Sequence, residues 1–256
     1  MREVSKRIKF RLLMFGSDIT EKRKMGLAVT AAAVFTVLAI LYFIPLDIPY
    51  KICFPLFTLA GFSLWLLPWP MSFAMFASAL GDLAGASGNF MVQMECFAAA
   101  HLFMIIFFVR RFIWRSRNAS AQGRARKSRR LAYVTMIALL IVMLVVFAML
   151  EIAPAAPSGA VRSGVVFYAL VISMMLFMAL MQRSRMYAAG ACLFVFSDLV
   201  LAWNKFVEPL EYERYLIMLP YYLGQLLLFL RASRLRIVYD RVRSRGHRFT
   251  GKIMED

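Results

Sequence analysis

Leu131-Ala-Tyr-Val-Thr-Met-Ile-Ala-Leu-Leu-Ile-Val-Met-Leu-Val-Val-Phe-Ala-Met-Leu150 runs for twenty residues without a charge. A helix rises about 1.5 Å per residue, so such a run matches the roughly 30 Å hydrocarbon core of a bilayer. The preceding segment, 109–130, carries nine Lys and Arg residues, from Arg110 to Arg130. A long apolar run behind a basic flank reads as a membrane span. Working outward, seven more candidates fit: 25–43, 51–67, 70–88, 90–108, 163–181, 187–204 and 214–230. The second and third are parted only by Leu67-Pro68-Trp69-Pro70, where proline cannot continue a helix cleanly.

Composition agrees. Hydrophobic residues make up 62% of the 256 and charged residues only 18%. Soluble domains sit at roughly 45–50% apolar on a count that includes glycine. A soluble enzyme, a disordered chain and a secreted disulfide scaffold are all excluded. Cys53, Cys96 and Cys192 are odd in number, lie in apolar runs and have no zinc-like spacing. With two histidines in the chain, a histidine-rich metal site is not expected, and no P-loop, H-E-x-x-H or G-x-S-x-G is present.

The net charge of +17 is explained by where the cations lie. Residues 1–24 hold eight, 109–130 nine, 182–186 two, and the tail from Arg231 eight. Eight spans put these 27 of 31 on one face, leaving Lys51, Arg162, Lys205 and Arg214 on the other. The positive-inside rule makes the basic face cytoplasmic, with both ends inside. The cations then serve orientation and contact with anionic membrane lipids, and no nucleic-acid partner is expected. The fold expected is all-α: a polytopic membrane protein of eight transmembrane helices. Residues 1–24 form a basic interfacial arm, 25–230 the membrane domain, and 231–256 a basic tail. A bacterial inner membrane fits best. The oligomeric state is not readable.

Eight spans invite a four-plus-four comparison. The third span of one half contains Ala79-Leu80-Gly81-Asp82-Leu83, and that of the other contains Val195-Phe196-Ser197-Asp198-Leu199. Each aspartate falls eleven or twelve residues into its span. His101 follows in the fourth span and Gln225 in the eighth. A charge at the bilayer centre costs at least about 2.5–3.5 kcal/mol, so intramembrane carboxyls mark function by default. Glu95, five residues from a helix end, reads as a structural or surface group. Asp82 and Asp198 are deeper and matched. Ser197 beside Asp198 can donate a hydrogen bond, and Gly81 and Gly85 form a small-xxx-small pair that allows close helix approach. Tyr221 and Tyr222 lie one helical turn from Gln225 and form a second polar cluster with it.

These segments resemble the lysoplasmalogenase family of integral membrane hydrolases, the YhhN-like proteins. The resemblance is carried by Ala79–Leu83, by Phe97-Ala-Ala-Ala-His101-Leu102, and by Gly190 through Leu199 on to Ala202-Trp203-Asn204-Lys205-Phe206. Tyr221-Tyr222-Leu-Gly-Gln225 completes it, and the order spans roughly 45–230. Two features depart from the family pattern. Lys51 and Pro55 are separated where a Lys-Pro pair is usual, and no tyrosine follows His101.

The resemblance implies hydrolysis of the vinyl ether bond of lysoplasmalogens. The products are a fatty aldehyde and a glycerophosphoethanolamine or glycerophosphocholine. Protonation of the β-carbon gives an oxocarbenium ion, water adds, and the hemiacetal collapses. That chemistry asks for one protonated carboxyl and one carboxylate, a division that a low-dielectric site favours. Asp82 and Asp198 are the expected catalytic pair, in either assignment. His101 would orient a carboxylate or relay the proton, Tyr222 and Gln225 would hold water or glycerol oxygens, and Gly81 would admit the substrate. Ser197, Asn204 and Lys51 complete the expected substrate contacts. No metal or organic cofactor is needed. Two other classes remain open on the residues alone: a proton-coupled small-molecule or lipid transporter, and a non-catalytic lipid-binding membrane protein.

Overall fold

The computed structural model describes residues 2–117 and 125–253, with side chains described for 21–116 and 133–238. Among the described residues there is no strand. The helices are α1 (Arg2–Phe43), α2 (Phe54–Leu66), α3 (Trp69–Ala86), α4 (Phe90–Arg117), α5 (Ala125–Phe147), α6 (Ala160–Leu180), α7 (Arg185–Phe206) and α8 (Glu213–Ile253). A π turn, Ala148–Ile152, and a single turn, Ala153–Ala155, extend α5. Pro154 cannot donate to the turn before it, and the wider π turn takes up that missing bond. The side chains of the arm up to residue 20, of 117–132 and of the tail from 239 lie outside the described residues.

Six segments are long and apolar enough to cross a membrane: Glu21–Phe43, Phe90–Ser116, Tyr133–Ala155, Ala160–Leu180, Arg185–Phe206 and Glu213–Val238. Six of the eight expected spans meet this measure. The stretch 51–67 yields only the 13 residues of α2, about 20 Å of rise, because 49–53 forms a turn. The stretch 70–88 yields the 18-residue α3, which carries Pro70, two serines and Asp82 and so is not apolar enough. Leu67 is extended ahead of Pro68 and ends α2, while Pro70 sits in the first turn of α3, where its missing N–H costs nothing.

Packing closes a ring. Each of α1, α2, α3, α4, α6, α7 and α8 contacts the next in that order, and α8 returns to α1. The α5 helix lies outside, against α6, and its π turn reaches α7. The first four helices pack in chain order, and so do the last four. The contact of α4 with α6 is matched by that of α8 with α2. Met71, Met75, Met104, Phe194 and Phe229 fill the interior and are fully buried, whereas Val29, Leu139, Met143 and Leu150 face outward. Lipid is as apolar as these side chains, so tight packing rather than water exclusion must hold the helices. Glycines supply it. A Cβ at Gly81 would meet the Phe97 ring at 3.0 Å, joining α3 to α4. A Cβ at Gly224 would come 2.8 Å from the Gly190 carbonyl oxygen, joining α7 to α8.

Candidate active site

Asp82 lies thirteen residues beyond Trp69 at the start of α3, and Asp198 thirteen beyond Arg185 at the start of α7. That is about 20 Å of helix in each case. Both are buried, with 3% and 7% of their surfaces exposed, and both open onto one cavity of about 310 Å³. The two carboxyls are close enough to interact electrostatically.

Each carboxyl has a partner from a helix distant in the chain. Tyr221, on α8, donates its phenol to Asp82 Oδ1 at 2.9 Å. Asp82 Oδ2 is buried and has no partner. His101, on α4, places Nε2 3.2 Å from Asp198 Oδ2. Tyr168, on α6, donates to the same Oδ2 at 2.5 Å and lies 3.1 Å from the His101 nitrogen. A proton on Nε2 satisfies this triangle, because both neighbouring atoms can accept from it. Asp198 therefore receives two donors on one oxygen, while Asp82 receives one and keeps the other oxygen free. The ring of His101 is fully buried and packs against Phe194 at 4.6 Å.

The expected site residues divide. Asp82, Asp198 and His101 come together. Asn204 lines the cavity, with its Oδ1 accepting from the Leu210 N–H at 2.7 Å and its amide donating to Glu213. Ser197 also lines the cavity but donates to the Ile217 carbonyl at 2.8 Å, bracing α7 against α8. Tyr222 donates to the Ile52 carbonyl and not to a carboxyl. Gln225 is fully buried and donates to Ser78 at 3.0 Å. Gly81 faces Phe97 across a helix interface. Lys51 donates to the carbonyls of Ile44 and Leu46 at 2.9 and 2.7 Å, closing the connection between α1 and α2. Glu95 is exposed.

Sequence reasoning missed four groups. Tyr168 supplies the phenol that the chain lacks after His101; a lone phenol amid the apolar run 163–181 was its only signal. Tyr221, expected to cluster with Gln225, is 3% exposed and bonds Asp82 instead. Gln93 lines the cavity, passing over Gly85, where a Cβ would lie 2.5 Å from its amide nitrogen. Arg214 lines the cavity at the start of α8. Its guanidinium sits 4.6 Å over the Tyr42 ring and donates to the Tyr42 carbonyl, and its buried Nε has no partner. Two further apolar slots of about 40 Å³ reach Asp198, one of them lined by Ala148 and Ile152 of the π turn.

This arrangement sets a carboxyl with one unpartnered oxygen, a carboxyl bonded twice on one oxygen, and an arginine around one cavity. The profile of the YhhN family matches residues 49–232 of the chain. Lysoplasmalogenase TMEM86B of Rattus norvegicus is 46% identical over 67 residues, which is 26% of this chain and 28% of that protein. The Homo sapiens TMEM86B lysoplasmalogenase is 43% identical over 67 residues, 26% of this chain and 29% of its own length. Lysoplasmalogenase TMEM86A of Homo sapiens is 48% identical over 48 residues, 19% and 20% of the two chains. The chain thus spans under a third of the length of the curated relatives it matches. No solved structure matches.

Proposed function

The chain belongs to the YhhN family, and from that premise we propose that it hydrolyses the vinyl ether bond of lysoplasmalogens within the membrane. One observation carries the reading: two buried carboxyls with different hydrogen-bond environments open onto one cavity. Asp82 is the acid. Tyr221 bonds Oδ1, and the free Oδ2 delivers its proton to the β-carbon of the vinyl ether. The α-carbon and ether oxygen then share the positive charge of an oxocarbenium ion. Asp198, oriented by Tyr168 and His101, serves as the carboxylate that stabilises that cation and takes a proton from the attacking water. The hemiacetal collapses by C–O cleavage, releasing aldehyde and the glycerol hydroxyl.

The remaining groups fit a lipid substrate. Arg214, with an unpartnered buried N–H, pairs with the phosphate of the head group. Asn204 and Gln93 meet glycerol oxygens. The apolar slots beside Asp198 receive the first carbons of the alkenyl chain, whose remainder stays among lipid. A polytopic frame brings catalysis to a substrate that stays in the bilayer. In this reading all eight helices lie within the membrane, α2 and α3 as a short pair in the ring. The basic ends face the cytoplasm of a bacterial cell, and the halves form a repeat.

Purified protein in detergent would be given an alkenyl lysophospholipid, with the acyl analogue as control. Aldehyde from the alkenyl lipid alone is the expected result. Absence of aldehyde from folded protein across ethanolamine and choline head groups would sink the proposal.

A further inference from the structure

A second polar cluster lies at the opposite end of α7 from the cavity. The helix is 22 residues long and begins at Arg185 after Ser184. The first-turn N–H groups of Arg185, Met186 and Tyr187 have no acceptor within the helix. Ser184 holds the capping position but makes no side-chain cap; its hydroxyl instead accepts from Arg231 Nε at 3.2 Å. The first turn contains no acidic residue. The positive pole of α7 is thus left without a partial negative charge to balance it.

Cations gather there instead. The Arg111 guanidinium lies 5.2 Å from the centre of the Tyr187 ring, and that of Arg231 lies 5.6 Å from it. Arg115 donates to the Gln182 carbonyl, two residues before Ser184. Arg115 and Arg231 are both close enough to Arg111 to repel it. Among the described residues no carboxylate forms an ion pair with any of the three. Tyr187 is fully buried; its hydroxyl and Arg111 Nη1 lie close enough to interact but make no well-formed hydrogen bond with each other or with any other group. Three like charges, a helix pole and two unpartnered buried groups make a poor resting arrangement unless an anion joins them.

We propose that the N-terminus of α7, with Arg111, Arg115 and Arg231, binds a phosphate group, carried either by an anionic lipid head group or by free phosphate. Backbone N–H groups at a helix start and planar guanidinium forks are the donors that phosphate oxygens take best. The site stands apart from the carboxyl pair, since Asp198 lies thirteen residues, about 20 Å, further along α7. It rests on none of the catalytic reading. A bound phosphate would fix the end of the helix that carries Asp198.

The test is thermal unfolding of the full chain in an uncharged maltoside detergent, titrated with phosphatidylglycerol or with inorganic phosphate at constant ionic strength. A ligand of the native state raises the midpoint with concentration. A rise with phosphatidylglycerol alone assigns the site to a lipid head group; a rise with inorganic phosphate assigns it to the free anion. In the Arg111→Gln/Arg231→Gln double variant the affinity should fall at least about tenfold, the loss of one charge-assisted contact or more. Lys22→Gln, at an exposed cation outside the cluster, should keep the wild-type response. Should the double variant not fold, Arg231→Lys retains the charge but loses the planar fork, and a several-fold weakening is expected. An unchanged response in the variants, or none in the wild type with either probe, would overturn the site.

Discussion

Tyr221 reaches from α8 to Asp82 on α3, its hydroxyl 2.9 Å from Oδ1 across 139 positions of chain. The bond occupies one carboxyl oxygen and leaves the other buried without a partner. Tyr221→Phe removes the donor and keeps the ring, which packs edge-on against Phe97 and Phe194. Losing a partner to a buried polar group costs about 1–3 kcal/mol. Turnover of an alkenyl lysophospholipid should fall about tenfold or more, with a lowered unfolding midpoint. Wild-type kcat in the variant would remove Tyr221 as a positioning residue.

Asp82→Asn and Asp198→Asn keep shape and remove the acid and the base. Positioned proton transfer contributes about 10²–10⁴-fold, so each variant should lose at least about a hundredfold in kcat. Expression and helical content should stay near wild type. Aldehyde release is the assay, and a variant that retains more than a tenth of the rate would be outside the mechanism.

Tyr168 and His101 meet on the same oxygen of Asp198, so their effects should not add. Tyr168→Phe and His101→Phe are each expected to slow turnover. The double variant should be little worse than the more damaging single one. A double-mutant cycle on kcat measures this directly, and strict additivity would mean the two act independently.

Arg214 is proposed to meet the substrate phosphate, and charge-assisted pairing is worth about 1.5–3 kcal/mol. Arg214→Gln should raise KM about tenfold or more while changing kcat little. An uncharged alkenyl glycerol substrate should not distinguish the variant from the wild type. Equal losses on both substrates would assign Arg214 to the packing of α1 on α8, through Tyr42 and Phe43.

Two glycines test the packing. A methyl group at Gly224 would meet the Gly190 carbonyl oxygen at 2.8 Å, backbone against backbone, so neither side can yield cheaply. Gly224→Ala should destabilise by about 1–3 kcal/mol. At Gly61, in α2, an added Cβ meets nothing within 4 Å. Gly61→Ala should stabilise by about 0.5–1 kcal/mol, since alanine loses less freedom in a helix. Midpoints from thermal unfolding should move in opposite directions.

The sequence by itself determined the environment and singled out the intramembrane polar residues. Length of apolar run, basic flanks and the rarity of intramembrane carboxyls are one-dimensional properties, set by bilayer thickness and the cost of burying charge. They sufficed for an all-helical membrane protein, for its family, and for Asp82, Asp198 and His101 as a group. The repeated position of the aspartates was also legible, because depth along a helix is a count of residues. Which side chain meets which was not. Ser197 looked like a donor to Asp198 and Tyr222 like a contact for water or glycerol oxygens, yet each donates to a backbone carbonyl. Tyr168 looked like an ordinary span residue and Tyr221 like a partner of Gln225, yet they hold Asp198 and Asp82. Lys51 closes a turn, and Arg214, on the face with the fewest cations, lines the cavity. These outcomes depend on the rotation of each helix about its axis and on the order of helices around the ring. Both are fixed by contacts between residues far apart in the chain, where a single residue of rotation turns a side chain by about 100°.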